Sequence, residues 1–236
     1  PAMSTRWGQR LDTDGPRNDA ECTDDFELID EVEWGPRRDE DGYDTDQELA
    51  PKPRRKAISD ACGCLPPKEG MACIDESCVL YACREECRSN CEAGHICGNK
   101  RLQKKQFKDV EVFDAGVKGK GLRLSETTTP AIKGDNLCEY TGRAIREAAL
   151  NRLFRRYQSD RRLFILALGD GIFIDARKKG GIARFINHSC EPNCKVERWN
   201  VKGIMRAAVV ALRTIQPGEE LCFDYQWERK KGRAPT

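Results

Sequence analysis

The sequence has few histidines, few aromatic residues and no long apolar run. Histidine occurs twice in 236 residues, and aromatic residues make up 7% of the chain. No stretch approaches the 18 or so consecutive apolar residues of a membrane-spanning helix, so we expect no membrane span. The first residues do not form a charged and then apolar signal sequence, so we do not expect secretion. His95 and His188 are too few for a histidine-based hydrolase, and Cys190 beside His188 does not make an oriented nucleophile and base.

Charge is abundant and unevenly divided. Residues 1–56 hold 16 acidic and 9 basic side chains, and residues 57–236 hold 23 and 32, although the formal net charge of the whole chain is only +2. A basic folded part with an acidic extension is typical of proteins that contact a polyanion or its basic protein partners.

The first 57 residues contain acidic runs and almost no periodic apolar pattern. This composition predicts a disordered, solvated leader that ends in a basic linker. An alternative is that four apolar residues of the leader dock as a short segment: Phe26, Ile29, Val32 and Trp34.

Eight of the 13 cysteines lie between Cys62 and Cys97, spaced C-x-C-x8-C-x4-C-x4-C-x3-C-x3-C-x5-C. Such a short polar segment needs covalent or metal staples, and a chain without secretion signals favours metal over disulfides. Zinc takes four thiolates in structural sites. Eight cysteines could form two separate sites, or seven could hold two ions that share one thiolate. The ions would be structural, because a catalytic zinc keeps a position open for water.

Beyond this region, short strands and turns dominate the pattern. One amphipathic helix is expected between about Ala144 and Gln158, because apolar residues recur at i, i+3, i+4 and i+7: Leu150, Leu153, Phe154 and Tyr157. Strands are predicted at 110–113, 122–124, 137–140, 163–168, 172–175, 195–199, 205–212 and 221–225. A turn at Gly169-Asp170-Gly171 predicts that the fourth and fifth of these form a hairpin. The fold class is therefore mainly β, without the alternating pattern of a parallel α/β sheet.

Four short motifs carry the chemical information. They are KGKGL at Lys118–Leu122, EYTG at Glu139–Gly142, RFINHSCEPNC at Arg184–Cys194 and GEELCFDY at Gly218–Tyr225. In this order and spacing they resemble the SET-domain protein lysine methyltransferases, over about residues 108–228. The cysteine region resembles the AWS zinc module that precedes SET in the histone H3 lysine 36 branch.

This resemblance implies a fold and a domain organisation. The fold would be a SET-domain β-fold of short sheets with a pseudoknot, preceded by a small zinc-cluster module. The expected parts are an acidic leader and basic linker (1–57), an AWS-like module (58–107), a SET catalytic domain (108–228) and a truncated or absent post-SET tail (229–236).

The resemblance also implies S-adenosylmethionine as cofactor and Tyr225 as the catalytic residue. Methyl transfer to an amine needs alignment, a dry site and an uncharged nucleophile, and a tyrosine hydroxyl can orient the reacting groups. The implied cofactor contacts are Lys118, Gly119, Lys120, Gly121, Tyr140, Leu163, Phe164, Arg184, Phe185, Asn187 and His188. The implied lysine channel is lined by Phe164, Phe223 and Tyr225. A phenylalanine at position 223 leaves room for di- or trimethylation.

For the metal, the family pattern uses seven cysteines with the third as a bridge. One zinc would be held by Cys62, Cys64, Cys73 and Cys78, and the other by Cys73, Cys87, Cys91 and Cys97. Cys83 is left over and is expected to be a small buried residue.

The sequence departs from the family pattern at three places. Leu163-Phe164 stands where relatives carry a tyrosine, and Lys120 replaces an aromatic residue between the two glycines. The three cysteines that would join Cys190 around a third, post-SET zinc are absent, so that zinc is not expected.

The expected function is S-adenosylmethionine-dependent methylation of histone H3 lysine 36 in nucleosomes, in the nucleus and on chromatin. The partners would be the histone H3 tail and nucleosomal DNA, the latter through a basic face, with no membrane. We expect a monomer, with a chromatin cofactor as an optional partner. The alternatives are a methyltransferase for another histone or non-histone lysine, and a catalytically weak zinc-stabilised chromatin-binding module.

Overall fold

The computed structural model describes residues 26–34, 61–156 and 164–225. Its helices are α1 (Val79–Ala82) and α2 (Glu147–Arg156), with 3-10 turns at Gly94–Ile96, Gly116–Lys118 and Ile182–Phe185. Its strands are β1 (Glu27–Leu28), β2 (Val110–Asp114), β3 (Lys120–Leu124), β4 (Asn136–Glu139), β5 (Gly142–Arg146), β6 (Ile165–Gly169), β7 (Ile172–Gly180), β8 (Asn187–His188), β9 (Cys194–Val201), β10 (Ile204–Ala211) and β11 (Cys222–Phe223).

The strands form four small sheets. One has the order β1-β7-β5, with β6 also paired to β7; the second is β4-β10-β9. The hairpin β2-β3 and the parallel pair β8-β11 complete the set. The described fold is therefore mainly β with few helices, as the strand pattern predicts.

Local sequence explains the two tightest connections. Gly169, Asp170 and Gly171 all have positive φ (108°, 52° and 70°), the left-handed conformation that a hairpin turn between β6 and β7 requires. Lys202 and Gly203 also have positive φ (53° and 89°) where β9 turns into β10.

The main hydrophobic core lies between the sheets. Its largest fully buried side chains come from several strands and include Leu122, Leu137, Ile174 and Val209. β10 is the central strand of its sheet, between β4 and β9. In keeping with this position, residues 207–211 of β10 are all buried.

The predicted helix is present but begins later than expected. Ala144 and Ile145 belong to β5, whose partner is the Ile172–Asp175 part of β7, and α2 starts at Glu147. Leu150 and Leu153 are buried against β5 as predicted, whereas Phe154 is 40% exposed. Tyr157, the last residue of the predicted apolar face, lies outside the described residues.

Part of the predicted leader is ordered. β1 pairs in parallel with the end of β7, matching Glu27 to Lys179 and Leu28 to Gly180. Further on, Glu33 donates its N–H to the Gly142 carbonyl (3.0 Å) and accepts from Ala144 N (3.0 Å). Val32 and Trp34 pack against the main core. A solvated, disordered chain is therefore the wrong description for residues 26–34, because their backbone bonds and apolar side chains are used by the sheet.

The cysteine-rich module, residues 61–107, has its own small core of buried cysteines around Leu80. Backbone hydrogen bonds join this module to β9: Glu86 N–H donates to the Asn200 carbonyl (2.9 Å), and Asn200 N–H donates to the Arg84 carbonyl (2.8 Å). Within the module, the Glu86 carboxylate accepts the N–H groups of Leu102 (2.6 Å) and Gln103 (3.0 Å). Tyr81 packs edge-on against Trp199 of β9, with ring centroids 5.1 Å apart. The module is thus fastened to the β4-β10-β9 sheet by both polar and aromatic contacts.

Among the described residues, no helix is long and apolar enough to traverse a lipid bilayer.

Candidate functional site

Two distant chain segments meet at the centre of the candidate site. β8 and β11 pair in parallel, matching Asn187 to Cys222 and His188 to Phe223. Ser189 N–H continues the pairing by donating to the Phe223 carbonyl (3.2 Å). The RFINHSCEPNC and GEELCFDY motifs, separate in sequence, are therefore neighbours in space.

Tyr225 lies at the end of this pairing. Its hydroxyl donates to the Ile186 carbonyl at 2.7 Å, and its own N–H donates to His188 Nδ1 at 3.2 Å. The residue is 37% exposed, yet burial of the phenol raises its pKa to about 12. The hydroxyl is thus a neutral, fixed group at neutral pH that keeps lone pairs for a further hydrogen bond.

Two more aromatic residues adjoin Tyr225. The Phe223 ring lies 5.0 Å from the Tyr225 ring and is 7% exposed. Tyr140 is buried, and burial raises its phenol pKa, with a smaller contribution from the nearby Tyr225. Phe223 therefore lies directly beside Tyr225, and Tyr140 belongs to the same buried core as Phe223.

A charged cluster lies on the other side of Asn187. The Asn187 amide donates to Glu220 Oε1 (2.9 Å) and to the Lys120 carbonyl (3.3 Å). Lys118 Nζ lies 3.1 Å from Glu220 Oε2, and this hydrogen bond raises the Lys118 pKa. A carboxylate, an ammonium and an amide thus converge where β3, β8 and the start of β11 meet.

The glycines of KGKGL have different surroundings. Gly119 has φ 77°, which favours glycine, and a Cβ there would project into open space. A Cβ on Gly121 would lie 2.7 Å from the Phe113 ring, so this glycine is required by packing within the β2-β3 hairpin. Of the two glycines, only Gly119 borders space that a ligand could fill.

Phe164, Arg184 and Phe185 form a second group. The Arg184 guanidinium lies 4.3 Å from the Phe164 ring centre and 5.4 Å from that of Phe185. Arg184 also donates to the Arg177 carbonyl at 3.1 Å and is only 5% exposed. Leu163, predicted to touch the cofactor, lies outside the described residues.

The cysteine sulfurs form two overlapping groups. Within each group the sulfurs all lie within 4.8 Å of one another: Cys62, Cys64, Cys73 and Cys78 in one, and Cys62, Cys73, Cys87 and Cys91 in the other. The closest pairs are separated by 3.7 to 3.9 Å. A tetrahedral zinc thiolate with bonds of about 2.3 Å has edges of about 3.8 Å, so these spacings fit zinc.

Two cysteines are placed differently from the expectation. The second group contains Cys62 where the family pattern has Cys97. Cys97 is buried in the same small core and contributes to the raised pKa of the Cys91 thiol, which is due mainly to burial. Cys83 is exposed, so the prediction that it is buried is wrong. Cys83 comes directly after α1 and lies four residues after Val79, so the two residues share one face of the helix. That face is exposed to solvent, whereas Leu80 points into the core.

Three participants were not predicted. Glu220 lies inside the GEELCFDY motif, so its proximity to Tyr225 in sequence was an available signal. Ile186 contributes a backbone carbonyl, which side-chain identity does not reveal. Phe26 stacks on Arg184, with 3.8 Å between guanidinium and ring centre, and no local pattern connects these two residues.

Comparison with known proteins agrees with this geometry. Residues 119–226 match the model of the SET domain family, and this part of the chain is a SET domain. In solved structures, a similar fold occurs in the polycomb repressive complex 2 of Chaetomium thermophilum (TM-score 0.63, 24% identity, 74% of this chain and 25% of that one). The same complex in an autoinhibited, S-adenosylmethionine-bound form gives a TM-score of 0.61 at 23% identity, over 69% and 23% of the two chains.

Within the SET-domain family, the chain resembles the histone H3 lysine 36 branch. It is 39% identical over 162 residues to the H3 lysine-36 specific histone-lysine N-methyltransferase of Aspergillus fumigatus (67% of this chain, 16% of that protein). Human histone-lysine N-methyltransferase SETD2 is 34% identical over 175 residues (71% and 7%). The Chaetomium globosum H3 lysine-36 specific enzyme is 33% identical over 221 residues (91% and 23%).

These matches differ in extent. The chain spans about a sixth of the length of the Aspergillus relative. A match over 91% of this chain has to include both the cysteine-rich module and residues 26–34, so the likeness to that relative extends beyond the SET domain.

Proposed function

We propose that this chain is the catalytic part of an S-adenosylmethionine-dependent protein lysine methyltransferase that acts on lysine 36 of histone H3 in nucleosomes. The observation that carries the proposal is the position of the Tyr225 hydroxyl, held by the Ile186 carbonyl next to the Asn187 cluster. The target lysine is supported by the relatives named H3 lysine-36 specific.

The charged cluster fits the amino-acid end of S-adenosylmethionine. Its α-ammonium would be held by the Glu220 carboxylate and its α-carboxylate by Lys118, with Asn187 between them. The open space at Gly119 allows close approach of the methionine chain. By the family pattern, the other contacts are the backbone near His188 and the residues Lys120, Tyr140, Phe164, Arg184 and Phe185, together with Leu163 outside the described residues.

When bound, S-adenosylmethionine supplies an electrophilic methyl group on a sulfonium, and the lysine ε-amine is the acceptor. The channel residues act on that amine. Desolvation of the lysine beside Phe223 would disfavour its ammonium form, so that the lysine releases a proton to solvent before transfer. Tyr225, whose proton is donated to Ile186, accepts an N–H of the neutral amine and aligns its lone pair. Phe223 adds no hydroxyl to restrict the amine, so we propose di- or trimethylation.

The cysteine-rich module would hold two structural zinc ions. One is proposed at Cys62, Cys64, Cys73 and Cys78, and the other at Cys73, Cys87, Cys91 and Cys97, with Cys62 near enough to the second group to compete with Cys97. The proposed domain organisation is a leader to residue 57, this module to residue 107, the SET domain to residue 228 and a short tail.

The proposed partners are the histone H3 tail and nucleosomal DNA, in the nucleus. Support for DNA comes from the positive charge of residues 57–236 and from the solvent-facing arginines of α2, Arg152 and Arg155. Phosphate contacts release counterions, so nucleosome binding should weaken as salt rises.

The test is transfer of labelled methyl groups to recombinant nucleosomes and free histones. Wild-type protein should label histone H3, and the product mass should show more than one methyl group. Tyr225→Phe should lower turnover by about 100-fold or more, the range for loss of a positioned catalytic group, with cofactor affinity unchanged. Tyr81→Phe, in the cysteine-rich module, is the matched control and should retain activity.

Histone H3 with lysine 36 replaced separates the target from the activity. Loss of label on that substrate supports lysine 36, and retained label assigns another lysine. No transfer by wild-type protein that binds S-adenosylmethionine would contradict the proposed activity. Absence of cofactor binding would favour a chromatin-binding module.

A further inference from the structure

Residues 26–34, the docked segment, contribute an aromatic side chain to the SET domain. Phe26 lies with its ring centre 3.8 Å from the Arg184 guanidinium, on a residue that is itself 5% exposed. Phe164 faces the same guanidinium at 4.3 Å, and Phe185 meets Phe26 edge-on with ring centroids 6.0 Å apart. A desolvated cation between aromatic rings is held more strongly than an exposed one.

Phe164 has an unfavourable backbone conformation that its contacts must stabilise. Its φ is +30°, a conformation that is unfavourable for a non-glycine residue and persists only when the surroundings enforce it. Its carbonyl accepts Ala176 N–H at 2.9 Å, which fixes one side of the residue. The contact with Arg184 fixes the ring on the other side.

Arg184 also connects the stack to the catalytic centre. It belongs to the 3-10 turn Ile182–Phe185. Ile186, the first residue after this turn, supplies the carbonyl that accepts the hydrogen bond from the Tyr225 hydroxyl. Asn187 follows immediately. Arg184, the acceptor for Tyr225 and the first residue of β8 therefore lie within four consecutive residues of the chain.

The docked segment is built into the sheet. Ile29 N–H donates to the Gly180 carbonyl (2.9 Å), and its own carbonyl accepts the Thr141 hydroxyl (2.8 Å). A Cβ on Gly181 would collide with the Thr141 hydroxyl, so the glycine leaves room for the hydrogen bond between Thr141 and Ile29. Lys179 adds ion pairs to Glu27 (2.7 Å) and Glu33 (3.3 Å).

We propose that Phe26 is a positioning residue for methyl transfer: it clamps Arg184 against Phe164 and thereby holds the Ile186 carbonyl that orients Tyr225. The kinetic part of this inference rests on the proposed function. The clamp itself is a physical contact that can be measured without turnover.

The test compares three variants of the full chain. Phe26→Leu keeps apolar bulk and removes the aromatic face, and Phe26→Tyr retains that face. Val32→Ala weakens the same docked segment at a residue that packs on the core and serves as the control for general destabilisation. Each variant is assayed for kcat, KM for nucleosomes, cofactor affinity, thermal unfolding and the NMR signal of the Arg184 Nε–H, which senses ring currents.

Phe26→Leu should lower kcat about tenfold, the effect of a small misalignment in the barrier, with KM and cofactor affinity nearly unchanged. Phe26→Tyr should restore kcat and the Arg184 signal. Val32→Ala should lower the unfolding temperature without this loss of kcat.

Wild-type kcat in Phe26→Leu, or equal losses of kcat in Phe26→Leu and Val32→Ala, would overturn the positioning role. An unchanged Arg184 signal in Phe26→Leu would overturn the clamp. Inactive wild-type protein whose Arg184 signal still responds to Phe26→Leu would refute the proposed activity and leave the clamp standing.

Discussion

Tyr225 illustrates how the surroundings of a single residue define its chemistry. Its hydroxyl proton is committed to the Ile186 carbonyl, and its phenol has a pKa raised by burial to about 12. Such a group accepts and orients a hydrogen bond and is unsuited to act as a strong base at neutral pH.

The raised pKa of Tyr225 predicts when the phenol ionises. An ordinary tyrosine ionises near pH 10, so between that pH and about 12 the folded protein should retain the Tyr225 proton. Because the folded pKa is the higher one, its contribution to stability is complete below pH 10 or so and is lost as the pH rises towards 12. The tyrosinate absorbance difference between wild type and Tyr225→Phe should therefore appear only well above pH 10. A difference already at pH 9 to 10 would contradict the raised pKa of the Tyr225 phenol.

Glu220 provides a second prediction for a single residue. Glu220→Gln removes the negative charge proposed to hold the cofactor ammonium while preserving side-chain shape. We expect S-adenosylmethionine to bind about tenfold more weakly by calorimetry, or about 1.4 kcal/mol.

Glu219→Gln is the matched control for Glu220. The Glu219 carboxylate is partly buried, but hydrogen bonds from Arg213, Gln216 and Asn193 outweigh burial and lower its pKa. Its role is to brace the turn before β11, so its loss should affect unfolding more than cofactor affinity. Equal effects of the two variants on cofactor binding would argue against a specific contact by Glu220.

Among the elements, those with a clear local pattern were predictable. The β6-β7 hairpin follows from Gly169-Asp170-Gly171, and the buried face of α2 follows from Leu150 and Leu153. The start of α2 was misplaced because Ala144 and Ile145 fit either a helix or a strand, and pairing with β7 decides between them. β1 could only be offered as an alternative, because its two residues become a strand through partners near the other end of the chain.

The Glu86 carboxylate braces the cysteine-rich module internally, and this contact can be tested. In Glu86→Gln, the amide has only one oxygen, so it can accept only one of the two hydrogen bonds from the Leu102 and Gln103 N–H groups. The side chain at position 86 is buried. We expect a loss of about 1 to 3 kcal/mol in the free energy of unfolding, since a buried donor loses a charged acceptor. Glu76→Gln, at an exposed position of the same module, should change it by less than about 0.5 kcal/mol in denaturant titrations. Similar values for both variants would show that the Glu86 carboxylate does not stabilise the module.

At the scale of the molecule, metal is expected to govern the stability of the cysteine-rich module. Its core is mostly cysteine, so little apolar packing remains once the ions are removed. Protein as purified should contain two zinc ions per chain by elemental analysis. A strong chelator should remove them and abolish the protection of residues 61–107 from hydrogen exchange. Unchanged protection after zinc loss would refute a metal-dependent module, and a different stoichiometry would refute the bridged pair.

The composition of the whole site was predictable only in part. The motifs identified Asn187, Phe223 and Tyr225, which the structure brings close together, because the resemblance to SET domains rests on these residues in a fixed order. The backbone carbonyl of Ile186 and the ring of Phe26 were out of reach. The first leaves no trace in residue identity, and the second depends on a contact between β1 and β7 that is set by tertiary packing.

The pairing of β1 with β7 also has a consequence for synthesis on the ribosome. Glu27 leaves the exit tunnel long before its partner Lys179 has been synthesised. The cysteine-rich module, whose ligands are local, can bind metal in the meantime, whereas the docked segment has to wait, exposed, for a distant strand. The first described residues to be synthesised are therefore among the last to find their place.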